Sequence, residues 1–311
     1  MNASNISRRQ ILKLMGFASA SQLLGKPLEF LSENNKMMQR KIKSSGELLP
    51  VVGVGTWLTF DVGSNASDRA TLKEVLKLMH QHGGKLIDSS PMYGSSEEVV
   101  GGLTKEIGLQ NEFFYATKVW TTGESDGINQ MRASLDKLKR SKMDLMQIHN
   151  LIDWRTHIKT LRRWKEEGKI RYIGITHYTD ASHDRLKNII EREKIDFVQF
   201  NYSIRKRNAE RGLLDAALKH NVAVIVNRPY EGGSLFRLVK GRALPDWVKE
   251  YDINSWGQYF LKFLLAHPAV NCVIPGTSKP HHLVDNMKAG YGKLPNQEIR
   301  EKMYSHIRDL R

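Results

Sequence analysis

KLIDSS (85–90), PMYGSSEEVVGGLTKEIG (91–108) and FFYATKVW (113–120), taken in order, read as a strand, a turn with its helix, and a second strand. KLIDSS and FFYATKV (113–119) are short and nearly continuous in apolar character, as strands covered on both faces are. EEVVGGLTKEIG between them is a helical stretch long enough to carry the chain back, so the two strands run parallel.

The same unit recurs on both sides. PVVGVGT (50–56) precedes it; MDLMQIH (143–149), IRYIGIT (170–176), DFVQFNY (196–202), VAVIVNR (222–228) and VNCVIPG (270–276) follow. SDRATLKEVLKLMHQHG (67–83) is a helix with Leu72, Val75, Leu76 and Met79 on one face, Ser67 as its expected N-cap and Gly83 at its end. DGINQMRASLDKLKR, LRRWKEEG, SHDRLKNIIEREK, AERGLLDAALKHN and NSWGQYFLKFLLAHP continue the alternation. Strand and helix repeated around the chain argue for an α/β fold of the (β/α)8 TIM-barrel type. An open doubly wound sheet is the alternative. It wants Gly-x-Gly-x-x-Gly after its first strand, and VVGVGTW has Gly53 and Gly55 but no third glycine in register. RKIKSSGELLP (40–50) reads as an N-terminal β-hairpin cap turning at Ser44-Ser45-Gly46, able to plug the barrel bottom. Residues 230–252 form a long connection of the kind that shapes a substrate site.

The chain has 311 residues, 40% of them hydrophobic, which suits one barrel with a sizeable core. It shows no internal repeat and no apolar run long enough to span a membrane. The formal net charge is +15, but the basic residues are scattered, as in KLKRSK (137–142) and IRKR (204–207). A solvated basic surface is therefore favoured over a nucleic-acid footprint. The one cysteine, Cys272, lies in the apolar run VNCVIP, which argues for a buried inert thiol.

Barrel enzymes place reactive groups at the C-terminal ends of strands. Asp88 ends the second strand, Tyr93 follows it, Lys118 ends the third and His149 the fourth. These strands are neighbours, so the four side chains should converge. A phenol with a pKa near 10 donates a proton poorly at neutral pH. A lysine ammonium beside it favours phenolate, and an aspartate keeps that lysine charged. A histidine on the same rim can hydrogen-bond a carbonyl. Taken singly, Tyr93 could be a loop anchor and His149 a satisfied core histidine. Paired catalytic carboxylates and a His/Asp metal cluster are both missing from the strand ends, so no metal site is expected, and a hydrolase or metal-dependent lyase is disfavoured.

On these residues the chain resembles the aldo-keto reductases. Asp88 with the residues after it, SSPMYGSSEEVVGGL (89–103), is similar to that family's Asp-x₄-Tyr-Gly-x-Ser-Glu segment, ATKVW to its lysine strand and LMQIHN to its histidine strand. The resemblance spans roughly residues 40–300. It implies reduction of aldehydes or ketones by direct hydride transfer from a nicotinamide, with Tyr93 as general acid, Lys118 tuning it, Asp88 pairing with Lys118 and His149 orienting the carbonyl. Trp57 and Trp120 are implied as substrate-pocket walls, with core packing as the equal alternative. The implied cofactor contacts are Gly55, Thr56 and Asp88, then Thr176, His177 and Gln199 around the nicotinamide amide. Asn227, Arg228, Pro229 and Tyr230 follow the seventh strand. Asn227 stands where a stacking tyrosine is usual, with Arg228 or Tyr230 to compensate. IPGTSKPHHLVDN (274–286) resembles the family's phosphate segment, with Gly276, Thr277, Ser278, Lys279, His282, Asp285 and Asn286 at contacting positions. Relatives grip the 2′-phosphate with a lysine and an arginine where this chain has Gly276 and His282. Lys279 and His282 favour NADP(H), with NAD(H) as the alternative. The altered cofactor residues also admit a second reading, a catalytically weak, redox-sensing regulatory subunit.

ISRRQILKLMG (6–16), followed by LMGFASASQLLG, resembles a twin-arginine export signal, with Arg8-Arg9, Ile11, Leu12 and Lys13 in the expected order. Ala18-Ser19-Ala20 offers a small-x-small cleavage site. Residues 1–36 are thus expected to be a leader recognised by export machinery, and 37–311 the barrel. That implies a periplasmic location, with a cytoplasmic protein carrying a basic arm as the alternative.

Overall fold

The computed structural model describes residues 36–310, so the expected leader lies outside the described residues. A hairpin comes first: β1 (Gln39–Lys41) pairs antiparallel with β2 (Leu48–Pro50), and the turn places Gly46 at φ +80°, which glycine adopts without strain. Eight parallel strands follow: β3 (Val54–Gly55), β4 (Leu86–Asp88), β5 (Phe114–Val119), β6 (Met143–His149), β7 (Ile170–Thr176), β8 (Phe197–Asn201), β9 (Ala223–Asn227) and β10 (Val270–Val273). They pair in sequence order, and parallel bridges Val52↔Val273 and Gly55↔Gly276 join the first strand to the last. The eight expected strands are all present: those at 143–149 and 170–176 keep the expected bounds, and the other six are shorter.

The α-helices are α1 (Ala66–Gln81), α2 (Ser96–Glu106), α3 (Glu124–Lys137), α4 (Trp154–Glu166), α5 (His183–Arg192), α6 (Leu213–Lys219), α7 (Ser234–Leu238), α8 (Trp256–Leu265), α9 (Pro280–Lys288) and α10 (Gln297–Arg308). Helix α1 buries Leu72, Val75, Leu76 and Met79 as its periodicity predicts. Its N-cap is Asn65 rather than Ser67: the Asn65 side chain accepts from the Asp68 amide at 3.0 Å, and the helix starts one residue before Ser67. Both residue types cap well, so composition alone could not separate them. Among the described residues no helix is long and apolar enough to cross a membrane.

Side chains alternate across each strand, and this places the site. Leu86 on β4, Phe114 and Ala116 on β5, Leu145 on β6, Tyr172 on β7, Phe197 on β8, Ala223 and Ile225 on β9 and Cys272 on β10 fill the barrel interior. Ile42 and Leu49 of the hairpin join this cluster and close the bottom. Two residues further along the same faces come Asp88, Lys118, Gln147, Gln199 and Asn227. The lumen is thus apolar below and polar at the C-terminal rim. Gly174 on β7 makes room there, since a Cβ would lie 2.8 Å from Gln147 Cγ.

Candidate active site

Lys118 is fully buried at the top of the lumen. Such an ammonium needs partners: Nζ donates to Asp88 Oδ2 at 2.7 Å and to the Ser89 carbonyl at 2.6 Å, and it also interacts with the Tyr93 hydroxyl. Asp88 Oδ1 accepts from Gln147 Nε2 at 3.0 Å and from Gln199 Nε2 at 2.8 Å. Gln147 and Gln199 thereby fix the carboxylate that fixes the lysine. Burial opposes charge on Lys118, but Asp88 and Tyr93 outweigh it and hold its pKa above the ordinary lysine value.

Tyr93 lies in the turn after β4, its amide donating to the Ser90 carbonyl at 3.0 Å. Lys118 Nζ stands 4.9 Å from the centre of its ring. His149, at the end of β6, meets the ring edge to face, with 5.8 Å between centroids. The four residues read from the sequence therefore converge. The electrostatic expectation needs correction. Burial raises the Tyr93 pKa above 10, and the Lys118 ammonium only draws it partway back. The free site holds a protonated phenol, ready to donate.

His149 is buried, and burial, the Lys118 charge and His177 push its pKa down to about 2. The imidazole is therefore neutral near pH 7. Its Nδ1 lies 3.0 Å from the Ser90 hydroxyl. Sequence reading passed over Ser90, Gln147 and Ser89; the alternation rule that found Lys118 also puts Gln147 on the lumen side of β6.

Trp57 is 50% exposed and Trp120 39%, so both stand at the rim and neither is core. Trp120 lies 6.4 Å from the His149 ring. Leu58, next to Trp57, and Met92, next to Tyr93, are exposed as well and give this rim an apolar lip. Cys272 is fully buried, and burial raises its thiol pKa, as an inert thiol requires.

Further round the rim, Thr176 Oγ1 donates to Gln199 Oε1 at 3.0 Å, and Asn227 Nδ2 donates to the His177 carbonyl at 3.2 Å. Asn227 Oδ1 is buried without a protein partner among the described residues. The Arg228 guanidinium sits over Tyr178, 5.7 Å from its ring centre, beside a cavity of about 420 Å³ that Lys206, Glu231 and Asp180 also line. Tyr230 points elsewhere: its hydroxyl donates to Asn286 Oδ1 at 2.6 Å, and its ring packs on Phe236 and Phe260. Its hydroxyl fixes Asn286.

The residues present fit a dinucleotide. Among the described residues no side chain caps α9; Pro280 has no N–H, so the His281 and His282 amides of the first turn are the ones open to a phosphate. Asp285 is held by Ser255 at 2.6 Å and Gln258 at 2.7 Å, and Asn286 by Tyr230, so both α9 side chains are preset. Gly276 and Gly55 approach backbone to backbone, where a Cβ on Gly276 would meet the Gly55 carbonyl at 3.1 Å. Thr277 Oγ1 accepts from the Lys279 amide at 3.1 Å. Lys279 brings the positive charge of this segment; burial lowers the His282 pKa, so that imidazole is neutral near pH 7 and offers a hydrogen bond.

Residues 51–303 match the model of the Aldo/keto reductase family. The methylglyoxal reductase of Escherichia coli strain K12 is 28% identical over 273 residues, which cover 85% of this chain and 93% of that protein. An NADP(+) aldo-keto reductase of Schizosaccharomyces pombe is 26% identical, covering 83% of this chain and 89% of that protein. Among solved structures, an aldo/keto reductase from Klebsiella pneumoniae in complex with NADP and acetate superposes with a TM-score of 0.72. It is 23% identical, and the match covers 87% of this chain and 95% of that one.

Proposed function

The chain belongs to the aldo/keto reductase family, and on that premise we propose that Tyr93, Lys118, Asp88 and His149 are its catalytic residues. The protein is an NADP(H)-dependent oxidoreductase that reduces carbonyl groups to alcohols. When bound, NADPH supplies the hydride, and the proton comes from the protein.

Tyr93 Oη holds that proton, since burial keeps the free phenol undissociated. As the carbonyl oxygen gains charge, the proton passes to it from Tyr93 Oη. The phenolate left behind is stabilised by the Lys118 ammonium, which Asp88 keeps charged and in place. His149, neutral, donates a hydrogen bond to the same oxygen and orients it. Trp57 and Trp120 wall the entrance and exclude water from one side. Thr176, His177 and Gln199 would hold the nicotinamide amide, with Asn227 at the place of the usual stacking tyrosine. Gly276, Thr277, Ser278, Lys279, His282, Asp285 and Asn286 would hold the phosphates and adenosine. Small aldehydes are the substrate class in view, given the methylglyoxal reductase among the relatives.

The observation that carries the roles is the buried Lys118–Asp88 pair set under the ring of Tyr93. The test is NADPH oxidation with methylglyoxal and with an aromatic aldehyde. Tyr93→Phe should cut kcat about 10²–10⁴-fold while NADPH still binds. A mutant as fast as wild type would end this assignment.

We further infer that residues 1–36 form a twin-arginine leader that carries the folded enzyme, cofactor already loaded, to the periplasm. The Arg8-Arg9 pair followed by Ile11, Leu12 and Lys13 supports this. A reporter that must fold before export, fused to residues 1–36, should reach the periplasm, and Arg8→Lys with Arg9→Lys should stop it. Export that survives the double change would rule the route out.

A further inference from the structure

We propose that Ser90 is a positioning residue that fixes the tautomer of His149, placing the ring proton on Nε2, where it faces the substrate carbonyl. The proposal rests on reading His149 as the group that orients that carbonyl.

Ser90 and His149 are both buried, and Ser90 Oγ lies 3.0 Å from His149 Nδ1. The same oxygen accepts a hydrogen bond from the Met92 amide at 3.3 Å. A hydroxyl has one proton to give. With Met92 on a lone pair, the remaining partner for that proton is His149 Nδ1; among the described residues Ser90 Oγ has no other acceptor. Were the ring proton on Nδ1 instead, Ser90 Oγ would accept twice and its own buried proton would have no partner, which folded proteins avoid.

The ring carries a single proton, because burial and the Lys118 charge keep His149 neutral. With Nδ1 accepting, that proton sits on Nε2. Nε2 has no protein partner among the described residues, and the ring stands between Tyr93 and Trp120. The Ser90 carbonyl meanwhile accepts from the Tyr93 amide at 3.0 Å. One residue thus places both the proton donor and the hydrogen-bond donor. Neighbouring Ser89 is not equivalent: its hydroxyl accepts from Thr56 and its carbonyl from Lys118.

The test reads the tautomer directly. Nitrogen NMR of ¹⁵N-histidine-labelled protein, with His149 assigned by comparison with His149→Gln, should show the Nε2–H form in wild type. In Ser90→Ala the signal should move towards mixed tautomers, kcat should fall about tenfold, the loss of one hydrogen bond's discrimination, and NADPH affinity by fluorescence should not change. Ser90→Thr, which keeps the hydroxyl, should restore the wild-type pattern. Nδ1–H in wild type, or an unchanged pattern in Ser90→Ala, overturns the inference and leaves the role of His149 standing. If His149→Ala turns over like wild type, the role of His149 itself falls, whatever the tautomer.

Discussion

A charge as deeply buried as that of Lys118 is tolerated only inside a closed set of partners. Asp88 is bound by one ammonium and two amides, and the two amides alone do not balance its charge. Lys118→Met should therefore abolish activity and also destabilise the fold by about 3–5 kcal/mol, since it strands a buried carboxylate. Adding Asp88→Asn removes the stranded charge. The double variant should recover most of the lost stability in urea denaturation and none of the activity. A single variant as stable as wild type would show that the pair contributes little to the fold.

Elements were legible wherever periodicity alone sets the structure. The eight strands read as apolar runs because helices cover them outside and the lumen fills inside, so both faces are apolar. The four catalytic candidates were legible because charged and polar residues stand out at the ends of such runs. Ser90 was not, because two identical serines follow Asp88 and only the path of the turn gives one of them to His149. The cap of α1 was obscured for a similar reason. In NASD (65–68), Asn65 and Ser67 both suit the position, and the hydrogen bond to the Asp68 amide selects Asn65. Asn65→Ala should cost about 1 kcal/mol in denaturant unfolding, and Ser67→Ala far less. Equal losses would mean that the helix starts later than its cap indicates.

Across the whole molecule, burial keeps several titratable groups uncharged, and this gives stability a definite dependence on pH. His149 is held down to about 2 and His267, beside the turn into β10, to about 4, both chiefly by desolvation. In the unfolded chain each would titrate near 6.5. Above that value neither state binds the proton and the two groups are silent. Below it the unfolded chain takes up protons that the folded chain refuses, so stability falls as pH falls, from about 6.5 towards the folded values. The urea midpoint should drop between pH 7 and pH 5, before most carboxylates titrate. His267 lies far along the chain from the catalytic residues, accepting from the Ala269 amide at 3.2 Å through Nδ1. His267→Gln, uncharged at every pH, should flatten that drop without altering its sign, because His149 remains. An acid drop equally steep in wild type and variant would remove His267 from the account and leave His149 with the other histidines that burial holds neutral, His177 and His183 among them, as its source.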